Sequence, residues 1–236
     1  MKHKTKGRLL WPGMLALTLA LVLTLTGMGR HDAAGKLPPT LQELYDRNSE
    51  ARSSLLQYDS YRDAGPAIDL SGEVTPGQAP LLLQWDVRWA FRSYNDDYMA
   101  CTGCGPTCLS MAVIGLTGDT ACDPWSVAQY AESGGYSVPG SGTSWSFIPE
   151  GAAHYGLTAR ELALSEEQVT DALENGQLVI LVVGPGDFTT TGHFLLLTGT
   201  EAGGFRLNDP NSPKNSGRVW PWERLEGQIL NLWAVG

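Results

Sequence analysis

Cys104 stands in a short glycine-rich stretch, Gly103-Cys104-Gly105-Pro106-Thr107-Cys108, directly before an apolar run. Pro106 suits the first turn of a helix, because a proline lacks an N–H that the helix could not use there. The apolar residues that follow predict a helix from Thr107, and Gly118 can end it. Cys104 would then precede the first turn, where free N–H groups and the helix dipole favour the nucleophilic thiolate. A structural cysteine in a glycine turn is the alternative that this stretch leaves open.

A nucleophilic cysteine needs a general base within hydrogen-bond reach and a group that orients this base. His193 begins a predicted strand after a run of threonines and a glycine, where its ring can point from the end of a sheet into a cleft. We prefer it to His154, which lies among alanines on a short predicted helix. Asp209 ends the neighbouring predicted strand and can orient the ring, with Asn208 and Asn211 as the alternatives.

An acyl-transfer reaction also needs hydrogen-bond donors at the position where the oxyanion of the tetrahedral intermediate forms. The backbone N–H of Cys104 can supply one donor. Gln84, upstream in the segment Gln84-Trp85-Asp86-Val87-Arg88-Trp89, is the best side-chain candidate for a second.

The four cysteines are Cys101, Cys104, Cys108 and Cys122. In an exported protein an even number suggests disulfide bonds. We prefer a bond between Cys101 and Cys122, because Cys108 falls inside the predicted helix. A metal site is disfavoured, since the Cys-x2-Cys-x3-Cys spacing lacks a second matching pair and no histidine lies nearby. We therefore predict neither a metal nor a cofactor.

Residues 1–30 predict export from the cytoplasm. Four basic residues precede an apolar run over 9–29, and Arg30 closes it. The run is long for the core of a signal peptide and just long enough to span a bilayer of ~30 Å. A cleaved signal peptide and an uncleaved N-terminal membrane anchor both remain open. Either one places the remainder outside the cell or on its surface.

The exported part of the chain is strongly acidic. Without residues 1–30 the sequence keeps eleven Lys and Arg against 25 Asp and Glu, a net charge of −14. Binding to polyanions depends on Lys and Arg. The charge therefore argues against nucleic acid, anionic lipid and acidic wall polymers as partners.

The order of the predicted elements indicates an α+β fold. A linker at 31–38 precedes an N-terminal segment at 39–80, which consists of an amphipathic helix over 40–61 and a loop rich in Gly, Pro and Asp. The main domain is 81–236. After the cysteine helix we predict helices at 123–132, 147–155 and 165–175, and then strands at 178–183, 193–198, 204–208 and 229–235. Helices first and an antiparallel sheet afterwards is not the alternating order of a parallel α/β protein.

Four motifs in a fixed order resemble a known family. They are Gln84-Trp85-Asp86-x-Arg88-Trp89, Gly103-Cys104-Gly105-Pro106-Thr107-Cys108, the segment from Gly186 to Phe194 that reads GDFTTTGHF, and Asn208-Asp209-Pro210-Asn211-Ser212. Together they resemble the papain-like cysteine peptidases of family thirty-nine, and more closely the stand-alone, exported branch of Gram-positive bacteria. The resemblance covers about residues 39–236.

The resemblance implies a papain-like fold for residues 81–236 and a role for each of four residues. Cys104 is the implied nucleophile, His193 the base, Asp209 the orienting residue and Gln84 the oxyanion donor. Two features depart from the members that cleave double-glycine leaders. Those members are fused to a membrane transporter and an ATPase, and their spacing between the glutamine and the cysteine is narrower. The substrate is therefore not carried over.

Three functions follow as hypotheses. The first is a thiol hydrolase that cleaves a peptide or other amide bond at the cell surface, and the Cys, His and Asp set favours it. The second is a thiol-disulfide exchanger that uses Cys101 and Cys104, a CxxC pair. Such pairs usually follow a strand in a βαβ unit, whereas here the strands come later. The third is a binding module that keeps the fold without turnover.

Overall fold

The computed structural model describes residues 37–236. The predicted signal peptide or anchor and most of the linker lie outside the described residues. The unit that we describe is Pro39–Gly236. Within residues 37–236, no helix combines the length and the apolar character needed to cross a membrane.

Ten helices are found in the described part of the chain. They are α1 (Pro39–Arg47), α2 (Arg52–Leu55), α3 (Tyr58–Tyr61), α4 (Met99–Thr102), α5 (Cys104–Thr117), α6 (Pro124–Ser133), α7 (Phe147–His154), α8 (Glu166–Glu174), α9 (Pro213–Ser216) and α10 (Trp222–Leu225), and a 3-10 turn follows at Glu226–Gln228. Two small antiparallel hairpins pair β1 (Ser93–Tyr94) with β2 (Asp97–Tyr98), and β3 (Ser137–Val138) with β4 (Gly142–Thr143).

The remaining strands form one antiparallel sheet. They are β5 (Ala159–Glu161), β6 (Leu178–Val183), β7 (His193–Glu201), β8 (Gly204–Asn208), β9 (Val219–Trp220) and β10 (Ile229–Val235). Their order across the sheet is β5-β10-β6-β7-β8-β9, and each neighbouring pair is antiparallel. All six residues of β6 are buried, because helices cover both faces of the sheet at its centre.

Alternate residues of the central strands supply two separate hydrophobic cores, as the twofold side-chain period of a strand requires. Ile180 and Phe194 face the core that contains α5, α6 and α7. Leu181 and Leu195 face the other core, which contains α8, β8 and α10. The helix that carries Cys104 therefore packs against one face of the sheet that carries His193.

The C-terminal half confirms the sequence predictions closely. The strands at 178–183, 204–208 and 229–235 have the predicted bounds, and β7 begins at His193 but extends to Glu201. The Asp123 carboxylate caps α6 by accepting from two backbone N–H groups, and the Ser165 hydroxyl caps α8. The predicted order of helices before an antiparallel sheet is confirmed.

Three predictions in the N-terminal half are wrong. The single helix over 40–61 is instead three short helices, because the Asn48 side chain donates to both oxygens of Asn211 at 2.9 Å and turns the chain. The cysteine helix starts at Cys104 and not at Thr107. The predicted loop at 140–145 contains β4, which pairs with β3.

The preferred disulfide between Cys101 and Cys122 is also wrong, since all four cysteines are free. Cys101 precedes the N-terminus of α5. The carbonyl of Cys122 accepts from the Ser110 hydroxyl at 2.6 Å. Ser110 lies nearly two turns beyond the start of α5, so Cys122 packs well along the helix from Cys101. At a rise of about 1.5 Å per residue, that separation keeps the two thiols apart.

Candidate active site

Cys104 is the first residue of α5 and is half-buried. Two glycines permit this position. A Cβ on Gly103 would lie 2.6 Å from the carbonyl oxygen of Met99, and a Cβ on Gly105 would lie 2.8 Å from the side chain of Thr143. The first N–H groups of a helix have no partner within it. Hydrogen bonds from the backbone N–H groups of Gly105 and Phe194 help to lower the pKa of the Cys104 thiol.

His193 and Asp209 form a buried pair next to this thiol. His193 begins β7 and Asp209 follows the last residue of β8, so the two neighbouring strands bring the side chains together. The Nε2 atom of His193 lies 2.8 Å from Oδ1 of Asp209, and the two side chains are only 6% and 1% exposed. Because Nε2 faces the carboxylate, Nδ1 is left for Cys104.

The Asp209 carboxylate is itself held on both oxygens. Oδ1 also accepts the backbone N–H of Asn211 at 2.8 Å, and Oδ2 accepts the side-chain amide of Asn215 at 2.8 Å. The backbone N–H of Asp209 donates to the Ser216 hydroxyl at 2.9 Å. These contacts fix the acceptor that orients the His193 ring.

The surroundings favour a charged cysteine and a charged histidine. Burial raises the pKa of the Cys104 thiol, but the hydrogen bond and positive charge of His193 outweigh it and hold that pKa below its ordinary value. Burial lowers the pKa of His193, whereas Asp209 and Cys104 raise it well above its ordinary value. The two shifts together stabilise a thiolate–imidazolium pair.

Gln84 lies beside this pair and is 3% exposed. Its Nε2 donates to the carbonyl oxygen of Ala100 at 2.7 Å, while its Oε1 has no partner among the described residues. Exchanging the two amide atoms would place two acceptors face to face, so the hydrogen bond to Ala100 fixes the orientation. One N–H of the amide remains for another acceptor.

The side chains of the alternative site residues have other hydrogen-bond or stacking partners. Asn208 donates to the carbonyl oxygens of Ala79 and Pro80, and the Asn211 side chain accepts from Asn48. Neither side chain contacts His193. His154 is exposed at the end of α7, where its ring stacks on Tyr130 with 3.8 Å between the ring centroids.

Two cavities meet at Cys104 and His193. The larger, of about 970 Å³, is lined among others by the acidic residues Glu43, Asp96 and Asp97 and the aromatic residues Phe91, Tyr98 and Trp145. The smaller, of about 560 Å³, contains Gln84 and Asp209, and the basic residues Arg47, Lys214 and Arg218 line it. Cys101 lines both cavities.

Some residues at this site carry no signal in the sequence. The Tyr94 and Thr143 hydroxyls are buried and lie 2.8 Å apart, which joins β1 to β4 against the first turn of α5. Asn215, which supports Asp209, is a further example. Each stands outside any recognisable motif, and only the folded chain brings it to the site.

No group of three His, Cys, Asp or Glu side chains that could hold a metal ion occurs within residues 37–236. Cys101, Cys104 and Cys108 follow one another along α4 and α5, and Cys108 is buried among apolar side chains.

Helices followed by an antiparallel sheet, with a cysteine at a helix N-terminus beside a histidine at a strand end, define the papain-like class of fold. The chain belongs to the Peptidase C39-like family, whose model matches residues 78–234. The family predicted from the four sequence motifs is thus confirmed.

Two solved structures are similar to this chain. A C39-like peptidase from Bacillus anthracis is 17% identical, with 68% of this chain and 95% of that chain covered and a TM-score of 0.46. The peptidase domain of Streptococcus ComA, a bi-functional ABC transporter involved in a quorum-sensing pathway, is 20% identical. The alignment covers 57% of this chain and 90% of that peptidase domain, with a TM-score of 0.41. A comparison with curated proteins found no significant match.

Proposed function

We propose that this protein is an exported cysteine peptidase that hydrolyses a peptide or related amide bond. Cys104 is the nucleophile, His193 the general acid and base, Asp209 the residue that orients His193, and Gln84 an oxyanion donor. The observation that carries the proposal is the 2.8 Å contact between His193 and Asp209 beside a thiol whose pKa is lowered.

The proposed reaction begins when the Cys104 thiolate attacks the carbonyl carbon of the substrate. The carbonyl oxygen becomes an oxyanion, which the backbone N–H of Cys104 and the free N–H of Gln84 stabilise. The His193 imidazolium then protonates the leaving amine as the C–N bond breaks, and a thioester remains. Neutral His193 next takes a proton from water, the hydroxide attacks the thioester, and the acid product leaves with the thiolate restored.

Export is part of the proposal and depends on the apolar run over 9–29, outside the described residues. A cleaved signal would release the peptidase outside the cell, and an uncleaved one would hold it at the membrane surface. The acidic charge of the remainder is consistent with a peptide partner and not with a polyanion.

The exchange hypothesis is less well supported than hydrolysis. Burial, together with the charge of Asp97, raises the pKa of the Cys101 thiol to about 12. Cys104 could attack as a thiolate, but Cys101 would stay protonated and would be a poor nucleophile for resolving the mixed disulfide that exchange requires. A binding module without turnover would not need the buried hydrogen-bonded supports of Asp209.

Trapping the thioester tests the proposal. The protein is mixed with an activated ester, quenched in acid and digested, and the peptides are analysed by mass spectrometry. We expect the acyl group on Cys104, and Cys101→Ser is the matched control that should retain it. His193→Ala should lose it. Acylation of Cys101 in place of Cys104, or none at all, would contradict the proposal.

A further inference from the structure

The smaller cavity beside Cys104 is positively charged, although the protein is acidic. Arg47, Lys214 and Arg218 line it. None of the three side chains forms an ion pair with another residue of 37–236, whereas four other arginines there do. Residues 37–236 contain ten Lys and Arg against 24 Asp and Glu. Because acidic residues outnumber basic ones by more than two to one, three basic side chains without an ion-pair partner are not expected in one cavity by chance.

The carboxylates of the same cavity are already engaged. Glu50 accepts the Ser212 hydroxyl at 2.6 Å and the backbone N–H of Lys214 at 2.8 Å. Asp187 pairs with the guanidinium of Arg224 at 2.5 Å. Asp209 similarly holds the His193 ring. None of these carboxylates forms an ion pair with the three bases, although the charge of Arg218 helps to lower the pKa of Asp187.

The surroundings constrain the guanidinium of Arg218 and the backbone of Lys214. The Arg218 guanidinium lies 4.6 Å from the ring centroid of Trp220. Lys214 belongs to α9, whose first turn is fixed to Glu50 by the contacts above. Arg47 ends α1 and lines both cavities.

The larger cavity shares Arg47, Cys104 and His193 with the smaller one, but its other charged residues are acidic. Glu43, Asp96 and Asp97 line it, and none forms an ion pair with a described residue. A substrate anion is therefore repelled there and attracted into the smaller cavity. The two cavities that meet at Cys104 therefore differ in the charge of their unpaired side chains.

We propose that Arg47, Lys214 and Arg218 form an anion subsite that binds a carboxylate of the substrate on one side of the scissile bond. The carboxylate is an Asp or Glu side chain or the C-terminus of the peptide, since both present the same two oxygens. Hydrogen bonds to an ionised group are roughly twice as strong as neutral ones. The proposal rests on the proposed function only in taking Cys104 as the site of cleavage.

Cleavage of a mixed peptide library tests the subsite. The purified full chain is given two libraries, one with amidated C-termini and one with free carboxylates. We expect peptides with a carboxylate near the scissile bond to be cleaved at least tenfold faster than matched peptides with Gln or an amide. Preference in the amidated library identifies a side chain as the source, and preference confined to the free library identifies the C-terminus.

Variants separate the subsite from overall charge. Lys214→Gln with Arg218→Gln should reduce the preference to about twofold or less. Arg160→Gln removes a charge on β5, at the opposite edge of the sheet from β9, and should leave the preference intact. Equal cleavage of carboxylate and neutral peptides by the unmodified protein would overturn the proposal.

A second measurement does not need peptide turnover. Iodoacetate is an anion and iodoacetamide is neutral, so the ratio of their rates with Cys104 reports the local charge. We expect the double variant to lower this ratio at least threefold and Arg160→Gln to leave it unchanged. If no peptide is cleaved, the proposed function fails, but this ratio still tests the subsite. An equal ratio in all three proteins would overturn it.

Discussion

The backbone N–H of Gln84 donates to the carbonyl oxygen of Pro210 at 2.8 Å. This bond joins the segment of the candidate oxyanion donor to the loop that carries Asp209, although the two lie far apart in sequence. The wide spacing between Gln84 and Cys104 therefore does not matter for the geometry, since Gln84 is positioned by the Asp209 loop and by Ala100.

Gln84→Ala should reduce kcat/KM by roughly a hundredfold or more. Loss of one oxyanion donor typically costs ~2.7–4 kcal/mol of transition-state stabilisation. Hydrolysis of an activated ester or peptide measures it. Asn208→Ala is the matched control, because Asn208 also donates to backbone carbonyls near the site but does not contact His193. A similar loss in both variants would mean that Gln84 acts only through folding.

Alkylation of Cys104 should already be fast at pH ~6, far below the ordinary thiol pKa of ~8.5. The lowered pKa of Cys104 favours the thiolate below the pH at which an ordinary thiol ionises, and the raised pKa of His193 favours the protonated ring. Rates with iodoacetamide across the pH range measure it. Turnover should fall at alkaline pH, where His193 loses the proton that the leaving amine needs. A rate that rises only above pH ~8 would show an ordinary thiol.

His193→Ala should be inactive, as should Cys104→Ala, whereas His154→Ala should turn over near the unmodified rate. His154 is exposed and stacks on Tyr130, so its loss leaves the cleft intact. Values of kcat/KM on one substrate, with folding checked by circular dichroism, decide between the two histidines. If His193→Ala is active and His154→Ala is not, the general base is His154 and the assignment to His193 is wrong.

Asp209→Asn should keep some activity, because an amide oxygen can still hold the His193 ring. In the unmodified protein, the side-chain amide of Asn215 donates to Oδ2 of Asp209. In Asp209→Asn the new amide nitrogen takes the place of Oδ2, so two donors face each other. Adding Asn215→Asp restores an acceptor at that contact and should recover part of the lost kcat. If the double variant is no better than Asp209→Asn, the contact with Asn215 does not support the ring.

Cys101→Ser should retain amide or ester hydrolysis, because the Cys101 thiol is protonated and His193 is paired with Cys104. Hydrolysis and insulin-reduction assays on the same preparation separate the two activities. Loss of hydrolysis in a folded Cys101→Ser variant would favour thiol-disulfide exchange.

The sequence predicts the C-terminal sheet well because its signals are local. Leu178–Val183 is a continuous apolar run. Gly184-Pro185-Gly186 marks its end, and Asp209-Pro210 marks the end of the strand at 204–208. The order of those strands across the sheet is not visible in the pattern, yet it decides that Asp209 meets His193. The sequence still predicts the contact, because two adjacent antiparallel strands joined by a short turn place the start of the first beside the end of the second.

The N-terminal half was harder to predict because distant contacts decide its structure. Asn48 ends α1 by bonding to Asn211, 163 residues away. The sequence predicts the start of α5 too late, because the two glycines that permit the earlier start pack against Met99 and Thr143, and only the tertiary fold brings these neighbours there. The pairing of Tyr94 with Thr143 was missed for the same reason.

The burial of α5 has a consequence for how the protein loses activity. Eleven of its fourteen residues are buried, and the helix packs on β7 as well as on α6 and α7. The amide hydrogens of its buried, hydrogen-bonded residues should exchange with solvent only through cooperative opening of the whole domain. The nucleophile thus belongs to the last part of the molecule to come apart, and a moderate denaturant should abolish catalysis and tryptophan burial in one transition.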